Sequence, residues 1–83
     1  MKSALLRCKV EPGMLATERV VEVDAGERTF RFVVGRESVT AGDSVRVYVV
    51  QEAPRTALVE VPGEPLSDGV RISVPKELLR EAQ

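Results

Sequence analysis

Val20-Val21-Glu22-Val23-Asp24-Ala25-Gly26-Glu27-Arg28-Thr29-Phe30-Arg31-Phe32-Val33-Val34 is the stretch that decides the fold class. Val21 and Val23 alternate against Glu22. Beyond the turn, Phe30, Phe32 and Val34 alternate against Thr29, Arg31 and Val33, with Arg28 sharing the phenylalanine parity at the strand's start. Successive side chains on a strand point to opposite faces, so period-two alternation on both sides of a short loop predicts a β-hairpin. Gly26 can supply the left-handed backbone that such a loop requires.

Working outward, four further runs have the same character: Ala4 to Val10, Val45 to Val50, Thr56 to Val61 and Val70 to Val74. With the hairpin strands, read as Leu15 to Val23 and Arg28 to Val34, they make six. Pro12-Gly13, Thr40-Ala41-Gly42-Asp43, Gln51 to Pro54 and the Pro- and Gly-containing segment 62–69 punctuate them as turns and loops. Pro75 ends the last run, since it has no N–H for a ladder but sits well at the first position of a helix. Lys76 to Gln83 is read as one to two turns of helix or 3₁₀ that cap one end of the sheet with Leu78, Leu79 and Ala82. No internal repeat is read from the sequence. The expectation is one all-β domain over residues 1–83: a small barrel of five to six antiparallel strands with a short C-terminal helix or 3₁₀ turn. Closure is the usual way a small β protein removes free edges.

Composition narrows the functional classes. Twelve basic residues stand against thirteen acidic ones, a net charge of −1, which is not the basic excess of a protein gripping nucleic acid mainly through phosphates. There is no histidine and one cysteine, Cys8, so neither a disulfide framework nor a metal site is expected. The N-terminal apolar run is too short for a signal peptide, and no run approaches the length of a membrane helix. A cytoplasmic protein is the expectation.

Residues 42–79 resemble the end of an SH3-like small β-barrel. The resemblance rests on Gly42-Asp43-Ser44-Val45-Arg46-Val47, on Ala57-Leu58-Val59-Glu60-Val61, and on Val70-Arg71-Ile72-Ser73-Val74-Pro75-Lys76-Glu77-Leu78-Leu79. It implies architecture rather than ligand. SH3 domains hold proline-rich helices in an aromatic groove. Phe30, Phe32 and Tyr48 are the only aromatics here, and none flanks Pro75. The string Val74-Pro75-Lys76-Glu77-Leu78 alone also resembles transcription factors with a swapped-hairpin fold.

No catalytic constellation emerges. Cys8 beside Lys9 lacks a histidine base and reads as a small core side chain. Asp24 with Glu27, and Glu37 with Asp43, read as solvated turn carboxylates. Phe30 and Phe32 read as core rather than as a base-stacking platform. Arg28, Arg31, Arg46, Arg55 and Arg71 form the candidate interaction face, to be cross-paired with Glu22, Glu52 and Glu60 if they are merely a charged exterior. The sequence therefore points to a non-enzymatic protein-interaction or accessory module, using a strand edge or a self-complementary dimer face, with no cofactor. A nucleic-acid-binding SH3-like or OB-like barrel using the strand arginines is the alternative.

Overall fold

The structure, a computed structural model, describes residues 2–62 and 70–82. Among the described residues nine strands form: β1 (Lys2–Arg7), β2 (Lys9–Pro12), β3 (Glu18–Asp24), β4 (Thr29–Gly35), β5 (Val39–Thr40), β6 (Ser44–Glu52), β7 (Thr56–Val61), β8 (Val70–Pro75) and β9 (Leu79–Glu81). All pairings are antiparallel. Val21, Val23, Val34, Val45, Val47, Val59, Val61, Ile72 and Val74 fill the core with Ala4, Leu6 and Ala57. These are the inward-parity residues of their strands, and valine's stiff side chain suits a pleated surface. Among the described residues, no helix is long and apolar enough to cross a membrane.

The expected closed barrel does not form. Strands β8-β7-β6-β1-β9, with β5 also on β6, make one sheet, and β2-β3-β4 make a second. The cause lies at Cys8, where the first run breaks. Its first half, β1, pairs with β6 and β9, while its second half, β2, turns to pair with β3. Among the described residues, β4 pairs only with β3, and β8 only with β7, so both keep an open edge there.

Two boundaries also differ from expectation. Leu15 to Thr17 belong to a turn rather than to β3, because the Gly13 N–H donates to the Glu18 carbonyl (3.2 Å) and closes the loop there. The C-terminal element is a single 3₁₀ turn, Lys76–Leu78, followed by β9, since Leu79 is drawn into register opposite Leu6. Leu78 and Leu79 do pack against the core. Gly26 has φ +93° in the hairpin loop, as its position predicts. Residues 63–69, expected to be a loop, lie outside the described residues.

The register uncovers an internal repeat that the sequence reading misses. Glu22 faces Arg31 across β3–β4, and Glu60 faces Arg71 across β7–β8. Val21 faces Phe32, and Val59 faces Ile72. Val10 faces Val21, and Val49 faces Val59. Each hairpin ends in a 3₁₀ turn: Arg36–Ser38, whose Arg36 N–H donates to the Thr17 carbonyl (2.9 Å), and Lys76–Leu78, whose Lys76 N–H donates to the Arg55 carbonyl (3.0 Å). A short strand follows each and pairs with the other half: β5 with β6 (Val39 opposite Val45), and β9 with β1 (Leu79 opposite Leu6). The chain is thus two β-strand units, β1–β5 and β6–β9, related by a pseudo-two-fold that passes between Leu6 and Val45, and each unit lends its last strand to the other.

Candidate functional sites

Two surface features follow from this architecture. The first is a groove of about 420 Å³ between the open side of β8 and the tip of the β3–β4 hairpin. Phe30, Ile72, Val74 and Pro75 give it an apolar lining, and Glu27, Arg28 and Arg71 bring charge to it. Phe30 is half-buried. Its ring stacks on Phe32, with centroids 6.2 Å apart and planes 9° from parallel, and the Arg28 guanidinium lies 5.3 Å from its centre. The two phenylalanines therefore pack against the core, as expected, while Phe30 also lines the groove.

The second feature is the outer face of β1, β6 and β9 around the pseudo-two-fold. Leu5 lies opposite Arg46 on one side and Arg80 on the other. Arg7 lies opposite Ser44. A cavity of about 370 Å³ is lined by Leu5, Thr40, Arg46, Arg80 and Glu81. Arg80 is held in place: its Nη2 donates to Ser44 Oγ (3.2 Å) and lies 3.9 Å from an Asp43 carboxylate oxygen, and Ser44 Oγ donates to that same carboxylate (3.1 Å). Among the described residues, no carboxylate comes within ion-pair distance of Arg7 or Arg46.

The five arginines singled out from the sequence are distributed over several sites. Arg28 and Arg71 meet at the groove. Arg71 is also bound through Nε to Glu60 (3.1 Å). Its pseudo-symmetric counterpart Arg31 lies between Glu11 (3.7 Å) and Glu22 (3.8 Å) on the outer side of the second sheet. Arg55 is in the turn before β7, where its carbonyl anchors the second 3₁₀ turn. Arg46 belongs to the axial face, with Arg7 and Arg80, which the sequence reading left out. The parity of run one, with Leu5 and Arg7 outward against Ala4 and Leu6, was the available signal for Arg7.

Cys8 is half-buried at the β1–β2 break, with its backbone N–H donating to the Asp43 carbonyl (2.9 Å). Burial, and then the Asp43 charge, push its thiol up to about 11. A thiol held protonated in this way is a poor nucleophile. Comparison with known proteins returns no matching family model, no similar curated protein and no similar solved structure.

Proposed function

We propose that this protein is a non-enzymatic interaction module that receives a segment of another polypeptide at the open side of β8. The observation that carries the reading is the coincidence of a strand edge that is unpaired among the described residues with an apolar groove beside it. An edge strand offers a row of backbone donors and acceptors, and side-chain pockets next to it add selectivity. Natural edges are usually blunted by charge, proline or brevity. β8 is six residues long, its proline comes only at its end, and its one charged residue, Arg71, is engaged by Glu60. Affinity capture of the tagged chain from lysate, with nuclease treatment and mass spectrometry, tests the reading. A protein retained after nuclease and lost from a Ser73→Arg variant supports it. Capture unchanged by that variant overturns it.

A second reading is favoured by the axial face: Arg7, Arg46 and Arg80 gathered around Leu5 would bind nucleic-acid phosphates. Arg7 and Arg46 are exchanged by the pseudo-two-fold, which suits a duplex with its own local two-folds. The return of β9 onto β1 of the other half also accords with the swapped-hairpin resemblance of Val74 to Leu78. Duplex binding that falls steeply with salt, with a shallower salt slope in an Arg7→Gln/Arg46→Gln variant, is the expected result. Absence of binding at low salt removes this reading.

A further inference from the structure

We infer that this chain exchanges halves with a second copy of itself, forming a dimer in which β1–β5 of each copy pack on β6–β9 of the other and the chain opens at Ala41-Gly42. The inference begins with which strands hold which. Among the described residues there are seven strand pairings, and three of them join the two units: β1–β6, β1–β9 and β5–β6. β1 and β5, the first and last strands of the first unit, have no partner there within their own unit, and β9, the last strand of the second, pairs only with β1. Each unit is therefore completed by the other. Leu6 and Val45, both completely buried, meet across that boundary. Nothing in these pairings requires both units to belong to one chain.

The connection between the units is short, and it is strained when closed. β5 ends at Thr40 and β6 starts at Ser44, so only Ala41, Gly42 and Asp43 reverse the chain. Ala41 has φ +58° and Gly42 φ +78°. Alanine in the left-handed conformation crowds its Cβ against the backbone. The bond that closes the turn, from the Asp43 N–H to the Thr40 carbonyl, is long at 3.4 Å. A Cβ placed on Gly42 would meet nothing within 4 Å, so no packing holds the turn there from outside. When the hinge straightens, β5 runs on toward β6 and Ala41 returns to ordinary extended backbone.

The strand pairings, the Leu6–Val45 contact and the core are the same in both forms, so the hinge and the concentration set the balance. A short connection holds a chain's own second unit at an effective concentration of about millimolar. A second copy competes at comparable concentration, and each dimer relieves the strain of two hinges. Exchange of an identical element is a low-cost route to a dimer, because it needs no new surface. The partner is thereby specified, since a second copy carries the unit that fits. The dimer keeps each β8 edge and each axial face and presents two of both, which raises avidity for a partner with repeated sites.

Refolding from urea at about 1 mM chain, followed by size-exclusion chromatography with light scattering, tests this. The unaltered chain is expected to give a dimer beside the monomer, and dilution to return it to monomer only slowly, because the units must separate before they re-pair. Ala41→Asn should weaken the dimer about 10-fold, since asparagine tolerates the left-handed conformation and each dimer opens two hinges. Gly42→Val should favour the dimer by at least about 30-fold, because a branched side chain is at odds with φ +78°. Circular dichroism verifies folding, and deletion of Ala41, which leaves too few residues to close the turn, serves if the valine disturbs it. A Ser3→Cys/Tyr48→Cys pair in a Cys8→Ala background identifies the form, since these residues lie opposite each other across β1–β6, within disulfide reach. After oxidation the dimer should run as two covalently linked chains and the monomer as one. A chain that refolds to monomer alone, folded hinge variants that leave the dimer unmoved, or a dimer whose disulfides lie within single chains overturns the inference.

Discussion

Leu6 lies directly opposite Val45, and the pseudo-two-fold that relates the two halves of the chain passes between them. Both are completely buried, and each also faces the short strand lent by the other half, Leu79 for Leu6 and Val39 for Val45. Two sheet halves, two exchanged strands and the core meet at this pair. Leu6→Ala is expected to cost about 2–5 kcal/mol, because the site is enclosed by backbone on several sides and cannot collapse. Val45→Ala should cost less, and the double variant should depart from additivity by at least about 0.5 kcal/mol, as neighbours in contact do. Urea unfolding of the four proteins measures all of this.

The same relationship predicts tolerance of a rearranged chain order. Thr40 pairs with Ser44 at the connection between the halves, and Arg80 pairs with Leu5 where β9 runs beside β1. These sites are equivalent. A circular permutant that opens the chain between Ala41 and Gly42 and joins Gln83 to Met1 through a short Gly-Ser linker should therefore fold cooperatively. One opened between Val47 and Tyr48, inside β6, should not. Circular dichroism and thermal melts of the two distinguish them.

The connection itself carries removable strain. Ala41 has φ +58° and Gly42 φ +78°, and the Asp43 N–H reaches back to the Thr40 carbonyl (3.4 Å). Positive φ at both central residues is the I′ pattern, for which Asn-Gly is preferred, and a left-handed alanine costs about 1–2 kcal/mol. Ala41→Asn should raise stability by about 0.5–1 kcal/mol, and Gly42→Ala should lower it by a similar amount. Chemical denaturation midpoints give both signs.

What was legible in the sequence follows from what each signal encodes. The hairpin over residues 20–34 was readable because alternation on both sides of Gly26 is local information. The break at Cys8 was not, because Leu6, Cys8 and Val10 keep one parity straight through the kink. The repeat was hidden by drift. Glu22 and Glu60, Arg31 and Arg71, and Val34 and Val74 coincide, but Phe32 corresponds to Ile72 and Gly35 to Pro75, and the two hairpins have loops of different length. The candidate face failed for a related reason. Parity tells which side of its own strand an arginine occupies, but not which strands are neighbours. β1 lies between β6 and β9, both far from it in sequence, so Arg7, Arg46 and Arg80 could not be grouped beforehand.

The equivalent ion pairs should not be equal in strength. Arg71 Nε lies 3.1 Å from a Glu60 carboxylate that is three-quarters shielded, whereas Arg31 divides itself between Glu11 and Glu22 at 3.7 and 3.8 Å, both more exposed. Exposed pairs contribute about 0.2–1 kcal/mol and fade with salt. Glu60→Gln is expected at the upper end of that range and Glu22→Gln near zero. Repeating the denaturation in 1 M NaCl should shrink the Glu60 effect.

Cys8 gives the fold a pH-dependent contribution whose sign can be worked out. Burial, reinforced by the Asp43 charge, raises its thiol from 9.0 to about 11, so the folded chain holds this proton more tightly than the unfolded chain does. As pH climbs past 9 the unfolded state gives up the proton first and is favoured by doing so. The stabilisation is complete below about pH 9 and is lost between about 9 and 11. The informative quantity is the difference from Cys8→Ala. Urea midpoints of the two proteins should converge from pH 8.5 to 11 by the amount that Cys8 supplies. Alkylation by iodoacetamide at pH 8 should be slow in the folded chain, because the thiolate is scarce. Asp43→Asn should speed it only in part, since burial, the larger of the two causes, remains. Midpoints that keep a constant separation across that range would show that the thiol does not titrate differently in the two states.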